Sequence, residues 1–252
     1  MDTVSPFNLA LLLAVGAIAG FINTLAGGGS FLTIPLLIFL GLPPTVANAT
    51  NRLAVFLQSL TAVRQFHGYG VFPLRFSLIV SVPAVAGSVL GSYAALVVSD
   101  AAFKKYLAVF MVLMTLITFI KPGAMQPPRP GEQFSPGRWV LLCGLFFLIG
   151  LYGGFIQAGV GFLIMAAMLF TGYDFVAGNA TKSFVIFLLT LVSLVIFIAG
   201  GKVQFLPGLV LGAGSVVGAL IGSKATVGKG NVFVQRFLVV TVILFAILLL
   251  VT

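Results

Sequence analysis

The sequence repeats itself at a fixed spacing of 131 residues, so its fold must be built from two related units. Gly28, Phe31, Leu32, Gly41, Asn48, Ala49 and Thr50 recur as Gly159, Phe162, Leu163, Gly172, Asn179, Ala180 and Thr181. With no gap, the same offset carries Gly87, Gly91 and Ser92 onto Gly218, Gly222 and Ser223. Pairing residues 28–94 with 159–225 gives 19 identities in 67 positions, against about 10% expected by chance in so apolar a chain. The shared residues include glycines and an Asn-Ala-Thr triplet, so apolar bias alone does not explain them.

Both units belong in lipid. The chain is 60% hydrophobic and 7% charged, with a mean hydropathy of +1.23, whereas soluble domains carry about 25% charged residues. It reads as an integral membrane protein with little mass outside the bilayer. The net charge of +9 comes without any block of five or six basic residues, so nucleic acid is not an expected partner; the basic residues flank spans and set topology. Cys143 stands alone, which excludes a disulfide within the chain, and reads as a small buried hydrophobe. The N-terminus lacks a basic n-region, so the first apolar run is expected to be retained as a span rather than cleaved.

Crossing a bilayer takes about 20 mostly apolar helical residues. Eight runs meet or approach that length: 7–26, 50–67, 74–98, 103–121, 138–158, 180–199, 205–225 and 233–251. Two shorter runs, 30–42 and 161–171, follow glycine clusters at equivalent places in the two repeats. If the short runs cross, the basic residues divide nine to four between the two sides; if they turn back, six to seven. The positive-inside rule favours crossing, with the rich side cytoplasmic and both termini outside. Five segments per repeat is odd, so the halves are expected to be inverted. The expected fold is an all-α polytopic membrane protein of two inverted repeats, with eight long helices and two short or broken ones. The repeats are 1–121 and 138–252, and the Pro/Gly-rich stretch 122–137 is a cytoplasmic linker. Duplicated halves with short, glycine-interrupted segments point to a transporter whose site lies where the repeats meet.

Two constellations carry the candidate chemistry. The first runs from Asn23 to Ser30 and holds Gly27, Gly28, Gly29 and Ser30; it is matched by Gly153 to Gly161, which holds Gln157, Gly159 and Gly161. Glycine clusters break a helix and free backbone amides, and inside a membrane such backbone survives only when buried in protein or lining a wet cavity. A helix restarting at Ser30 or Gly161 aims free N–H groups and a positive dipole end at the gap, which suits an anion. The plain alternative is tight turning or close helix packing. The second constellation is Asn48, Thr50, Asn51 and Arg52 with Asn179, Thr181 and Lys182. Each Asn is placed as an N-cap of the following long run, which puts Arg52 and Lys182 in a first turn where the helix dipole disfavours cations. The chain has only four acids, Asp2, Asp100, Glu132 and Asp174. A bound anion would therefore supply the missing negative charge, unless the two side chains snorkel to the interface. Gln58 and Ser59, with Thr190 matching Ser59, line a path or bond between helices. The Gly87-x3-Gly91 and Gly218-x3-Gly222 patterns read as close helix packing.

One histidine, one cysteine and four acids allow no metal cluster, catalytic triad or carboxylate pair, so neither an enzyme nor a cofactor is expected. No P-loop is present, and acid-poor spans argue against a carboxylate proton relay.

At these residues the chain resembles the sulfite exporter TauE/SafE family of membrane transporters. The likeness rests on Gly20 to Leu32, on Asn48-Ala49-Thr50-Asn51-Arg52, and on Gly159-Val160-Gly161-Phe162 followed by Asn179-Ala180-Thr181-Lys182. Gly201-Lys202-Val203 and the pattern from Gly218 to Ser223 are similar to the family as well. The resemblance implies a bacterial or archaeal inner-membrane transporter, often an exporter, of small sulfur-containing or organic anions. Sulfite is one candidate substrate, and sulfoacetate and other organosulfonates are others. The expected function is transport of such an anion by alternating access, with an anion channel or a non-transporting membrane scaffold as rivals.

Overall fold

The computed structural model describes residues 5–119 and 134–251, and among them the chain is helical with no strand. The elements are α1 (Pro6–Leu25), α2 (Ser30–Phe39), α3 (Pro44–Gly68), α4 (Leu74–Val97), α5 (Asp100–Phe119), α6 (Pro136–Phe155), α7 (Val160–Met168), α8 (Phe175–Ala199) and α9 (Phe205–Val251). Each expected segment falls on a helix or on one limb of α9, which Gly230 divides with a non-helical φ of 70°. Among the described residues, five helices are long and apolar enough to cross a membrane: α1, α4, α6, α8 and the Phe205–Phe237 part of α9. The expected linker 122–137 lies mostly outside the described residues; its last two positions, Pro136 and Gly137, open α6 behind an N-cap at Ser135.

The helix starts differ from the sequence reading in one consequential way. Pro44 opens α3, its missing N–H costing nothing at the first helical position, and the Asp174 carboxylate caps α8 through the Ala177 amide at 2.8 Å. These signals start both helices about a turn earlier than the apolar runs at 50 and 180. Asn48 and Asn179 are therefore interior helical residues, not N-caps. Arg52 and Lys182 lie about two turns inside their helices, away from the unfavourable first turn.

The 131-residue spacing extends into the loops. The Asp100 carboxylate accepts from the Thr45 amide at 2.9 Å, and 131 residues later Asn231 Oδ1 accepts from the Val176 amide at 3.0 Å. The residue opening the fifth segment of each half thus ties down the start of that half's third.

Helix packing interlocks the halves. The longest interfaces set α1 along α9 and α6 along α4, while α3 and α8 pack on each other and on α9 and α4. Lipid tails provide no hydrophobic drive between helices, so close approach needs small residues. A Cβ on Gly20 would lie 2.3 Å from the Ser215 carbonyl oxygen of α9, and one on Gly154 2.2 Å from that of Ser88 on α4. Gly87 and Gly91 return the contact against Phe147 and Leu151, and Gly218 against Ala17. The Gly-x3-Gly patterns are helix-packing devices, as their spacing suggests.

The short helices α2 and α7 hold ten and nine residues, about 15 Å at 1.5 Å per residue, half of a hydrocarbon core about 30 Å thick. Neither is long enough to cross unaided. Each follows a break in the chain, and the two breaks touch. Gly27 (φ 103°) lies so close to Gly161 that a Cβ on either would fall 2.4 Å from the other's Cα. Beside this contact, Phe31 and Phe162 stack with ring centroids 6.1 Å apart.

Candidate functional site

Breaking α1 and α6 leaves their last carbonyls without intrahelical partners, and a buried helix end of this kind must find donors. The donors come from the opposite half. Arg52 on α3 donates from Nη2 to the Gly153 and Gly154 carbonyls of α6, at 2.9 and 2.6 Å, and from Nη1 to Gln157 Oε1 at 2.9 Å. Lys182 on α8 donates from Nζ to the Asn23 and Thr24 carbonyls of α1, at 3.0 and 2.7 Å, and to Asn179 Oδ1. Each cation sits at the negative end of the other half's interrupted helix, where the dipole favours it.

This corrects the expectation that a bound anion alone must answer these charges. Backbone carbonyls answer them in part, and neither side chain snorkels: Arg52 is 0% exposed and Lys182 1%. The guanidinium also lies 4.7 Å over the Phe197 ring. The two acids among the described residues are engaged elsewhere: Asp100 accepts from Thr45, Asp174 from Ala177 and Asn231. Two buried cations thus face carbonyl and amide oxygens, with no carboxylate among their partners.

Amide side chains finish the breaks. Asn48 spans the gap in α6, donating to the Phe155 carbonyl at 3.0 Å and accepting from the Gln157 amide at 3.2 Å. Tyr152 Oη closes the same turn on the Ala158 carbonyl at 2.5 Å. Gln58 accepts from Asn23 Nδ2 at 3.0 Å beside the gap in α1. Asn51 donates to Ser30 Oγ at 3.1 Å and accepts from Thr33 Oγ1 at 2.6 Å, fixing the first turn of α2 to α3. Gly159, with φ 78°, turns the chain into α7 in a conformation that a side chain would strain. Gly28 and Gly29 are buried in the α1–α2 turn, Gly29 against Ala19 and Asn23.

Of the residues singled out in the sequence, Gly27, Gly28, Gly29, Ser30, Asn48, Asn51, Arg52, Gln58, Gln157, Gly159, Gly161, Asn179 and Lys182 gather at the two breaks. Thr50 and Thr181 make their hydrogen bonds away from them. Thr50 Oγ1 accepts from the Gln204 amide before α9 at 3.0 Å. The equivalent amide in the first half belongs to Pro73, which has no N–H, and Thr181 is instead reached by Ser77 Oγ of α4 at 3.0 Å. Both threonines fasten helices. Thr33, Tyr152 and the carbonyls of Asn23, Thr24, Gly153 and Gly154 went unmarked in the sequence, because backbone acceptors carry no residue signature.

Among the described residues, three buried side-chain polar atoms have no hydrogen-bond partner: Arg52 Nε, Asn179 Nδ2 and Thr190 Oγ1. The first two are donors belonging to the latches on α6 and α1. Buried unpaired donors are uncommon, and these two lie beside two buried cations.

Comparison with known proteins gives a consistent result. The sequence profile described as "Sulfite exporter TauE/SafE" matches residues 12–249. A "Probable membrane transporter protein" of Haemophilus influenzae is 31% identical over 236 residues, 92% of this chain and 90% of the relative. "Probable membrane transporter protein ORF9" of Sinorhizobium sp is 30% identical, covering 96% of this chain and 92% of its own length. "Probable membrane transporter protein YfcA" of Escherichia coli is 28% identical over 94% of this chain and 87% of its own. No solved structure matches the chain. With a profile match spanning nearly its whole length, the chain belongs to the sulfite exporter TauE/SafE family of membrane transporters.

Proposed function

We propose that the protein exports a small oxyanion, sulfite or an organosulfonate, by alternating access between two inverted membrane repeats. The repeats are 1–121 and 138–252, each passing through the membrane in five segments, four long helices and one short helix with its break. The stretch 122–137 joins them on the cytoplasmic side of the inner membrane, and both termini lie outside. With buried Arg52 and Lys182 removed from the count, basic residues still divide eight to three between the sides, which supports that orientation.

The observation that carries the reading is the pair of buried cations, Arg52 and Lys182, at two touching helix breaks with no carboxylate partner among the described residues. The carbonyl ends of α1 and α6 offer roughly −0.5 charge each, and the amide ends of α2 and α7 return about +0.5 each. The centre therefore keeps close to its two formal positive charges in a medium where isolated charge is costly. An anion arriving between the breaks neutralises it. An inside-negative potential then drives the anion outward by about 2.3 kcal/mol per charge per 100 mV, without a coupling ion.

Purified protein in vesicles loaded with sulfite tests this. Saturable efflux with counterflow, accelerated by an inside-negative potential, is the expected result. Single-channel currents would point to a pore instead. Absence of flux and of stabilisation by sulfite, sulfate and sulfonates would leave only a scaffold.

A further inference from the structure

Arg52 Nε and Asn179 Nδ2 stand out among the buried polar atoms, because a fully buried side chain keeps such a group unpaired only at a cost. Arg52 has spent Nη1 and Nη2 on Gln157, Gly153 and Gly154, and its Nε–H is left over. Asn179 has spent Oδ1 on Lys182, and its NH2 is left over. Both residues are 0% exposed. Their two bends meet at Gly27 and Gly161. Several acceptors nearby are already engaged. Gln157 Oε1 and the α6 carbonyls hold Arg52, the α1 carbonyls and Asn179 Oδ1 hold Lys182, and Gln58 Oε1 holds Asn23. The fully buried side-chain groups left without a partner at the breaks are both donors, and they stand beside two positive charges.

We infer that Arg52 Nε and Asn179 Nδ2 are the substrate's hydrogen-bond donors, and that the site selects oxyanions whose polar atoms only accept, rejecting those that also carry an ammonium group. The inference rests on the anion-transport reading and narrows it. An ammonium would meet the buried charges of Arg52 and Lys182 and two unpaired donors that cannot accept its N–H groups, so it is disfavoured by repulsion and by opposed donors together. Charge sign alone does not give this selection, since a zwitterion still offers a sulfonate to the same donors.

The test is a thermal-shift titration of the full-length purified protein, at constant ionic strength, with propane-1-sulfonate and 3-aminopropane-1-sulfonate. The two share a headgroup and chain length and differ by the ammonium. The wild type is expected to be stabilised by propane-1-sulfonate, with the amino compound at least about tenfold weaker, a factor worth about 1.4 kcal/mol. Asn179→Asp keeps the side-chain shape and an oxygen for Lys182 but replaces the free donor by an acceptor. It is expected to fold, to lose the propane-1-sulfonate response at least about tenfold, and to narrow or invert the preference. Equal responses of the wild type to both compounds, or an unchanged preference in folded Asn179→Asp, overturn the inference while leaving anion transport standing. No response to either sulfonate, to sulfite or to sulfate overturns both.

Discussion

Gly161→Ala probes the contact on which the site depends. An added methyl at Gly161 lands 2.4 Å from the Gly27 Cα, 3.0 Å from its carbonyl oxygen and 3.1 Å from its carbonyl carbon. All three atoms are backbone, so no side chain can swing aside, and ordinary contact distance requires the two breaks to separate by about 1 Å. Overpacking of this kind costs about 1–3 kcal/mol, which for a chain of this size lowers Tm by about 2–12 °C. Separation also carries the Arg52 and Lys182 centres apart, so sulfite efflux should fall by more than the loss of folded protein accounts for. Gly144→Ala is the control: it lies on α6 with nothing within 4 Å of its added Cβ, and alanine in a helix interior is favourable by about 1 kcal/mol. Reconstituted efflux and detergent-solubilised melting curves should be measured on both. If Gly161→Ala matches Gly144→Ala in Tm and efflux, the breaks are not in contact and the argument from their junction fails.

Other outcomes follow from the same geometry. Lys182→Met leaves the Asn23 and Thr24 carbonyls of α1 without their donor and should cost about 2–4 kcal/mol, with efflux abolished; a melting curve like that of the wild type would contradict the capping role. Arg52→Lys keeps the charge but loses the planar fork that reaches three acceptors, so a folded protein with weakened sulfite-dependent stabilisation is expected, and full wild-type titration behaviour would count against it. Thr181→Val removes a single neutral bond to Ser77, a loss of about 0.5–1.5 kcal/mol, and should leave the KM for sulfite efflux unchanged. Asp100 lies ahead of the apolar part of α5, and bonds from the Thr45 hydroxyl and amide, aided by Lys202, hold its carboxyl below the usual 3.8. A depressed pKa contributes stability in full above the unfolded value and loses it as pH falls through the folded one. The Tm gap between wild type and Asp100→Asn should therefore be constant near neutrality and narrow progressively as pH falls below about 4; a gap that does not narrow on acidification would exclude the contribution.

Much of the site was legible in residue types. Glycine clusters at matching positions announce broken helices, because no other residue so readily frees backbone inside lipid. Arg52 and Lys182 announce themselves because a cation in an acid-poor apolar helix needs an explanation. What the letters concealed was the answer to those charges. The last carbonyls of α1 and α6 are oxygens of Asn23, Thr24, Gly153 and Gly154, and no property of those side chains marks them as ligands. They lie between 101 and 159 residues from the cations they receive. Counting only acids leaves the charges to an anion or to snorkelling; helix ends, which act as fractional acids, share the task.

Helix starts show the same division. The apolar run beginning at position 50 looks capped by Asn48, yet Pro44 begins the helix sooner, and Asp174 does the same ahead of Asn179. Turn chemistry outranked hydropathy at both ends. Composition and the 131-residue repeat determined by themselves a lipid-embedded, all-helical chain with two related halves and two interrupted helices. Those properties follow from local backbone freedom and from the cost of burying charge. Tertiary structure alone decided which half answers which cation and that Gly27 meets Gly161. It also sent Thr50 and Thr181 to helix packing while Asn48 closed a break. Those outcomes depend on helices packing across the repeat boundary, α1 on α9 and α6 on α4, and such long-range pairings leave no periodic trace in either helix's own sequence.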